Sequence, residues 1–245
     1  RALGLSLAAA GSLAFCGHLT AADLTDFIWS GGITKNSANV RAGIDRDSSN
    51  VRLIVSESSN LSKPIYSNSV SANSTNNRVA NLSISGLKPD TQYYYAVEVD
   101  GIEDGTIGKF RTFPSGAASF KFTLGSCSET GSNHPVLDRI NNEDPLFHLI
   151  TGDFFYEDIR KNDKNLFRDA YMQNFNSPKW AALLRDHPTA YTWDDHDFGP
   201  NNTNKNSDSK AAARAIFREM VPHYDLPNNG AIYQAFDVGR ARVIL

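Results

Sequence analysis

The sequence predicts a small all-β sandwich followed by an incomplete α/β domain, and three observations carry that prediction. Residues 27–113 break into short runs such as FIWSGGI, NVRLIVS and QYYYAVEV, separated by Gly, Asn, Asp and Ser clusters and without helical periodicity. After residue 119 the pattern changes to apolar strands alternating with helical stretches, the signature of a parallel sheet. The chain has 245 residues, 40% apolar and 11% aromatic, enough for one to two domains at about 150 residues each.

Composition excludes several functions. With 24 basic against 27 acidic residues and a net charge of −3, no general attraction to nucleic acid or anionic lipid is expected. The 2 cysteines, Cys16 and Cys127, exclude a disulfide-stapled miniprotein and any four-thiolate zinc site. The sequence holds no P-loop, no dinucleotide-binding glycine fingerprint and no Gly-x-Ser-x-Gly elbow.

At the N-terminus, Arg1 precedes an apolar stretch over residues 2–16 that is too short to span a bilayer and is followed by small residues. Residues 1–22 therefore read as a secretory signal peptide cleaved after Ala22, leaving no membrane-spanning segment and a protein exported to a periplasmic or extracellular location. The mature chain then keeps Cys127 as a lone thiol in an oxidising compartment, which calls for a role. At the other end GRARVIL stops within a strand pattern, so the chain is expected to be a fragment lacking a C-terminal part.

Residues 23–115 are assigned to the sandwich. Six or seven short strands in this span fit an immunoglobulin-like architecture. The run GLKPDTQYYYAV is similar to the strand corner of fibronectin type III domains: Leu87 plugs the core, Pro89 sets the turn, and Tyr93 or Tyr95 offers a hydroxyl to nearby backbone. Residues 112–119 (TFPSGAAS) read as a linker.

Residues 116–245 are assigned to a catalytic domain of which the N-terminal part is present. Strands are expected at FKFTLGS, LFHLITGD and TAYTW, helices at PVLDRINN, 165–175, 180–185 and 209–220, a loop over 194–208, and two final strands. In open α/β sheets ligands sit at the carboxyl ends of strands, and three chemically loaded segments fall there: Gly125-Ser126-Cys127-Ser128, GDFFYED (152–158) and WDDHD (193–197). The fold would gather Cys127, Asp153, Tyr156, Asp195 and His196 around one crevice. Carboxylates crowded this tightly repel one another unless cations balance them. Carboxylate suits hard divalent ions, whereas thiolate and phenolate suit a more polarising ion, so the set points to mixed metals able to clamp a phosphoryl group and activate water. The apolar strand around His148 marks it as a core histidine; His134 opens a helix near the crevice, His187 belongs to a loop, and His223 lies at a helix end.

The segments GSC, GDFFYED and TWDDHDFGPNN resemble the alkaline phosphatase D (PhoD-like) family of calcineurin-like metallophosphoesterases, and its sandwich-then-catalytic order covers nearly the whole chain. The resemblance implies a four-layer αββα catalytic domain, Fe3+ and Ca2+ as cofactors, and hydrolysis of extracellular phosphate mono- or diesters, small-molecule or polymer, by metal-activated hydroxide. Carried over by position, Cys127 and Tyr156 bind Fe3+, Asp153 bridges the two ions and Asp195 binds the second. His196 assists at the phosphate as stabiliser or proton donor. Asn202 is a further ligand or substrate contact, and Arg160 is a candidate phosphate donor with Glu157 and Asp163 as competing partners. The superfamily's first-motif aspartate is replaced here by Cys127, and its later metal-binding motifs have no counterpart in the sequence. The competing reading is a non-catalytic surface protein with a vestigial metal site.

Overall fold

The computed structural model describes residues 22–245. The predicted signal peptide lies outside the described residues except for Ala22, whose carbonyl accepts from Gly105 N at 2.8 Å. The sandwich is built from β1 (Thr25–Gly31), β2 (Ser37–Ile44), β3 (Ser48–Ser56), β4 (Ile65–Tyr66), β5 (Val70–Ala72), β6 (Val79–Ser85), β7 (Gln92–Val99), β8 (Ile102–Glu103) and β9 (Gly108–Arg111). β1, β2 and β6 pair antiparallel in one layer; β4, β3, β7 and β8 form the other, with β5 on β3 and β9 on β7. β6 shows why the layers close: Ala80, Leu82 and Ile84 point inward and are buried, while Asn81, Ser83 and Ser85 face outward and are exposed.

The corner between β6 and β7 forms as the tyrosine run predicts, and the structure distinguishes the two candidates. Lys88 N donates to the Tyr93 hydroxyl at 3.0 Å, closing the corner over buried Leu87. The Tyr95 hydroxyl instead donates to the carbonyl of Arg185 at 2.9 Å, reaching out of the sandwich into the following unit.

That unit contains β10 (Thr123–Gly125), α1 (Pro135–Asn142), β11 (His148–Thr151), α2 (Lys164–Phe175), α3 (Pro178–Asp186), β12 (Thr189–Thr192), α4 (Asp195–Phe198), α5 (Lys210–Met220), β13 (Ala235–Val238) and β14 (Ala241–Ile244). β10, β11 and β12 are parallel neighbours, as the alternating strand and helix pattern requires. Two features depart from the sequence reading. Part of the expected 194–208 loop is the helical turn α4, and the last two strands form a separate antiparallel hairpin.

A third feature has no local signal in the sequence. β12 pairs with β1 in parallel at Gly31 and Thr189, so a single six-stranded sheet runs β10-β11-β12-β1-β2-β6 through both units. Contact here is close enough to require glycine: a Cβ on Gly31 would sit 2.7 Å from the carbonyl oxygens of both Thr189 and Pro222. Both faces of β1 are consequently buried. Ile28 joins the sandwich core, while Phe27 and Trp29 join the aromatic core beneath the helices, where Trp29 meets Phe154, Tyr171, Phe175 and Tyr191. Trp29 Nε1 also donates to Thr189 Oγ1 at 2.5 Å. The stretch expected to act as a linker begins inside this packing, because Phe113 is buried against Phe147 and Phe236.

His148 is buried in β11 as its apolar strand predicts, with Nδ1 at 2.8 Å from Thr123 Oγ1. Burial, reinforced by the nearby His187 ring, depresses its pKa to about 4. A depressed histidine favours the neutral form in the folded state, so its contribution is intact above the unfolded value near 6.5 and declines as pH falls from there to about 4. Urea unfolding of the wild type should lose on the order of 3 kcal/mol across that window beyond what a His148→Gln variant loses, at about 1.4 kcal/mol per pH unit. Equal slopes for the two proteins would remove His148 from the acid response. At the corner, Tyr93→Phe should cost about 1–2 kcal/mol in the same assay through the lost partner of Lys88 N, and a cost near zero would contradict the corner's role.

Candidate metal centre at the strand tips

The tips of β10, β11 and β12 deliver the three loaded segments to one place. The tip of β11 depends on glycine: Gly152 has φ +102, and a Cβ there would lie 2.5 Å from Asp194 Cβ and 2.6 Å from Asp194 N. The β11 and β12 loops therefore touch directly. Asp153 follows with φ 51, and Cys127 (φ 58) and Asn202 (φ 60) share this left-handed conformation. Three nominated residues thus hold backbone geometry that L-residues adopt at a cost, a pattern that accumulates at functional sites.

Hydrogen bonds knit the first two loops. Cys127 N donates to Gly152 O at 3.2 Å and Ser128 N to Asp153 O at 2.8 Å. Tyr156 N donates to Thr130 Oγ1 at 2.8 Å. Asn174 of α2, fully buried, accepts from Gly131 N at 2.6 Å and donates through Nδ2 to Phe154 O. Trp180 Nε1 of α3 donates to Ser128 Oγ at 3.2 Å.

Asp197 ties the second loop to the third. Its buried carboxylate accepts from Asp153 N at 2.5 Å, Phe154 N at 2.8 Å, Asp194 N at 2.9 Å and the Tyr191 hydroxyl at 2.6 Å. Burial pushes its pKa up to about 6, opposed by these four donors. The sequence placed Asp197 inside the WDDHD run without assigning it a task; its task is to hold Asp153. Asn174 and Tyr191 carried no sequence signal at all, since each is a polar group within an otherwise ordinary element.

The functional side chains converge inside this frame. Cys127 Sγ is 3.6 Å from Asp153 Oδ2, and ligand atoms of Asp153, Asp195 and His196 all lie within 4.8 Å of one another. The Tyr156 ring packs on the His196 imidazole at 4.3 Å between centroids. Its phenol is held well above the ordinary range by the adjacent Cys127 thiol, by burial and by the Asp153 carboxylate. His196 Nδ1 is buried without a hydrogen-bond partner among the described residues, with Asp158 Oδ1 3.6 Å away. Asp195 accepts from the backbone N of Asn202, and Asp158 accepts from Asn201 N at 2.7 Å.

Other nominated residues fall elsewhere. Arg160 is exposed, and no ion pair joins it to Glu157 or Asp163 among the described residues. His134 caps α1, its Nδ1 accepting from Val136 N at 3.2 Å, and shares a cavity of about 350 Å3 with Cys127. His223 accepts no catalytic neighbour; its Nδ1 lies 2.7 Å from Tyr224 O.

The donor set fits a cation. Two carboxylates, an imidazole nitrogen with no protein partner, a thiol and a phenol meet at one rim, and every one of them is a ligand type for hard or borderline metal ions. Without positive charge, Asp153 and Asp195 would repel each other at this short separation.

A β-sandwich sharing its sheet with an α/β unit that gathers acidic, imidazole and sulfur groups at parallel strand tips defines an α/β protein with a candidate metal centre. Comparison with known proteins narrows this. Residues 17–114 match the model of the PhoD-like phosphatase N-terminal domain. It is similar to alkaline phosphatase D of Bacillus subtilis (strain 168), 25% identical over 197 residues, covering 70% of this chain and 31% of that protein. An uncharacterized protein of Mycobacterium tuberculosis (strain ATCC 25618 / H37Rv) is 28% identical over 131 residues, covering 44% of this chain and 23% of that one. The solved structure described as "Structure of PhoD" superposes with a TM-score of 0.75 at 19% identity, over 87% of this chain and 49% of that chain. The chain thus spans less than a third of the length of these curated relatives.

Asp197→Ala would leave three backbone N–H groups and a phenol without an acceptor in a buried site. Such a loss should cost about 3–5 kcal/mol of unfolding free energy in urea. A cost below about 1 kcal/mol would show that Asp197 does not hold the two loops together.

Proposed function

We propose that the chain is the N-terminal portion of an exported, metal-dependent phosphoester hydrolase of the alkaline phosphatase D type. The observation that carries this reading is the convergence of Asp153, Asp195 and His196 with the Cys127 sulfur at the tips of three parallel strands. The family match and the likeness to a PhoD structure support the assignment.

On this reading residues 1–22 direct export to the periplasm or cell exterior, residues 23–115 are the sandwich, and residues 116–245 begin a four-layer catalytic domain. No helix among the described residues is long and apolar enough to cross a membrane. Cys127 and Tyr156 would hold an Fe3+ ion, Asp195 would hold a Ca2+ ion, and Asp153 would serve as a ligand to both. When bound, such ions polarise the phosphoryl group and make water nucleophilic at neutral pH.

The remaining chemistry belongs to side chains. Hydroxide, formed as water gives up a proton to solvent, attacks phosphorus in line with the departing ester oxygen; the new P–O bond forms as the ester P–O bond breaks, and protonated His196 passes its proton to the leaving alkoxide and regains one from solvent. The ring contact with Tyr156 fixes the plane of the His196 imidazole for that transfer. Asp197 acts through Asp153 by holding its backbone. Asn202, beside Asp195, and Arg160, exposed and without a carboxylate partner among the described residues, are assigned to the substrate.

Protein purified from its native compartment should carry iron and calcium by elemental analysis, and Asp153→Asn should lose both ions together with hydrolysis of an aryl phosphate while its circular dichroism is retained. A metal-free protein that cannot be reconstituted, or an Asp153→Asn variant with unchanged turnover, would contradict the proposal.

A further inference from the structure

The chain between α5 and β13 makes a turn over residues 227–231 that helix α5 holds at both ends. Arg218 Nη2 donates to the carbonyls of Pro227 at 2.8 Å and Ala231 at 3.0 Å, so one guanidinium pins the start and the finish of the turn. At its tip is Asn229-Gly230, the only Asn-Gly pair in the sequence. Asn229 is exposed, and Gly230 has φ +84, a conformation that favours glycine.

Three features of this tip favour one reaction, attack of a backbone nitrogen on the side-chain amide that precedes it. The electrophile is polarised: Asn229 Oδ1 accepts from Ala231 N at 3.1 Å, which sets a donor where negative charge develops as the amide carbon is attacked. The nucleophile is free, because among the described residues Gly230 N has no acceptor, and glycine carries no side chain to crowd it. A cation stands beside it: a Cβ on Gly230 would lie 3.4 Å from Arg214 Nη1 and 3.5 Å from Arg214 Cδ. Positive charge so close favours the deprotonated amide, which is the attacking form. Asn228, also exposed and in the same turn, lacks these conditions, since the nitrogen that follows it belongs to Asn229 and is flanked by a side chain.

We propose that Asn229 is a self-modification site, converted to aspartate and isoaspartate in the folded protein with the assistance of Arg214 and the Ala231 N–H. Gly230 N forms a bond to Asn229 Cγ, and the side-chain nitrogen departs as ammonia, carrying the proton that Gly230 N has lost. Water then opens the cyclic imide at one of its two carbonyls. Opening at the side-chain carbonyl gives aspartate; opening at the backbone carbonyl gives isoaspartate, whose main chain is longer by one methylene. Water is the only co-reactant, and no oxidant enters. Either product replaces a neutral amide by a carboxylate close to Arg214 and Arg218, and the longer main chain of isoaspartate must fit between ends that Arg218 holds in place. The new charge falls beside α5, the helix that meets the metal loop through Ser209.

The test is a time course of the full-length protein at mildly alkaline pH, one sample folded and one unfolded in urea, with the peptide that contains Asn228 and Asn229 followed by mass spectrometry and electron-transfer fragmentation to separate aspartate from isoaspartate. In the wild type Asn229 should convert severalfold faster in the folded sample than in the unfolded one, while Asn228 stays an amide. Arg214→Gln should slow the folded rate severalfold and leave the unfolded rate unchanged. If Arg214→Gln does not fold, the wild-type comparison decides by itself. A folded rate equal to or below the unfolded rate, conversion of Asn228 as fast as that of Asn229, or a folded Arg214→Gln protein that converts at the wild-type rate overturns the proposal.

Discussion

The candidate centre depends on one buried carboxylate. Asp197 accepts hydrogen bonds from the backbone of Asp153, Phe154 and Asp194 and from the Tyr191 hydroxyl, so the turn after β11 and the turn after β12 are held by the same two oxygens. Asp153 would otherwise have little reason to remain at φ 51, a conformation that favours glycine. Held there, its carboxylate lies beside the Cys127 sulfur and within reach of Asp195 and His196. A negatively charged group that fixes a neighbouring negatively charged ligand is unfavourable by itself, and it becomes reasonable when cations occupy the space between the ligands.

The sandwich contributes to the same frame. Its first strand completes the sheet on which the site is mounted, with Gly31 against Thr189 and Trp29 buried among the aromatic side chains beneath the helices. Arg41 of β2, buried and with its pKa lowered to about 10 by desolvation, donates to the carbonyl of Glu219 at 3.1 Å, near the C-terminal end of α5. Ser209, just before α5, in turn donates to Phe198 O at 3.0 Å, at the end of the turn that carries His196. Strand, helix and metal loop are thereby in mechanical contact through a short series of packed groups. The two units share one continuous support.

Much of this was legible in the sequence because the relevant signals are local. Strand-to-turn transitions at Gly125, Gly152 and Trp193 placed the reactive residues at strand tips, and the tip rule for parallel sheets then implied that they meet. The corner tyrosine was readable for the same reason, although only the structure separates Tyr93, which closes the corner, from Tyr95, which reaches Arg185. The shared sheet was not readable: the parallel pairing of β1 with β12 rests on residues 158 positions apart, Gly31 and Thr189, with no motif at either. Nor was the support of the site. Asn174 is one amide in an amphipathic helix, and its function appears only when its oxygen meets Gly131 N and its nitrogen meets Phe154 O.

The central claim is that a thiolate, a phenolate and carboxylates from three strand tips bind the same cation centre, with the His196 imidazole beside it. Visible absorption during titration of the full-length apoprotein with Fe3+ tests it most directly, because iron coordinated by a phenolate absorbs in a range where protein alone does not. A band that grows to saturation in the wild type and is missing in Tyr156→Phe, with binding weakened in Cys127→Ser, is the predicted result. An identical spectrum for the wild type and Tyr156→Phe would show that the phenol does not join the centre and would contradict the account.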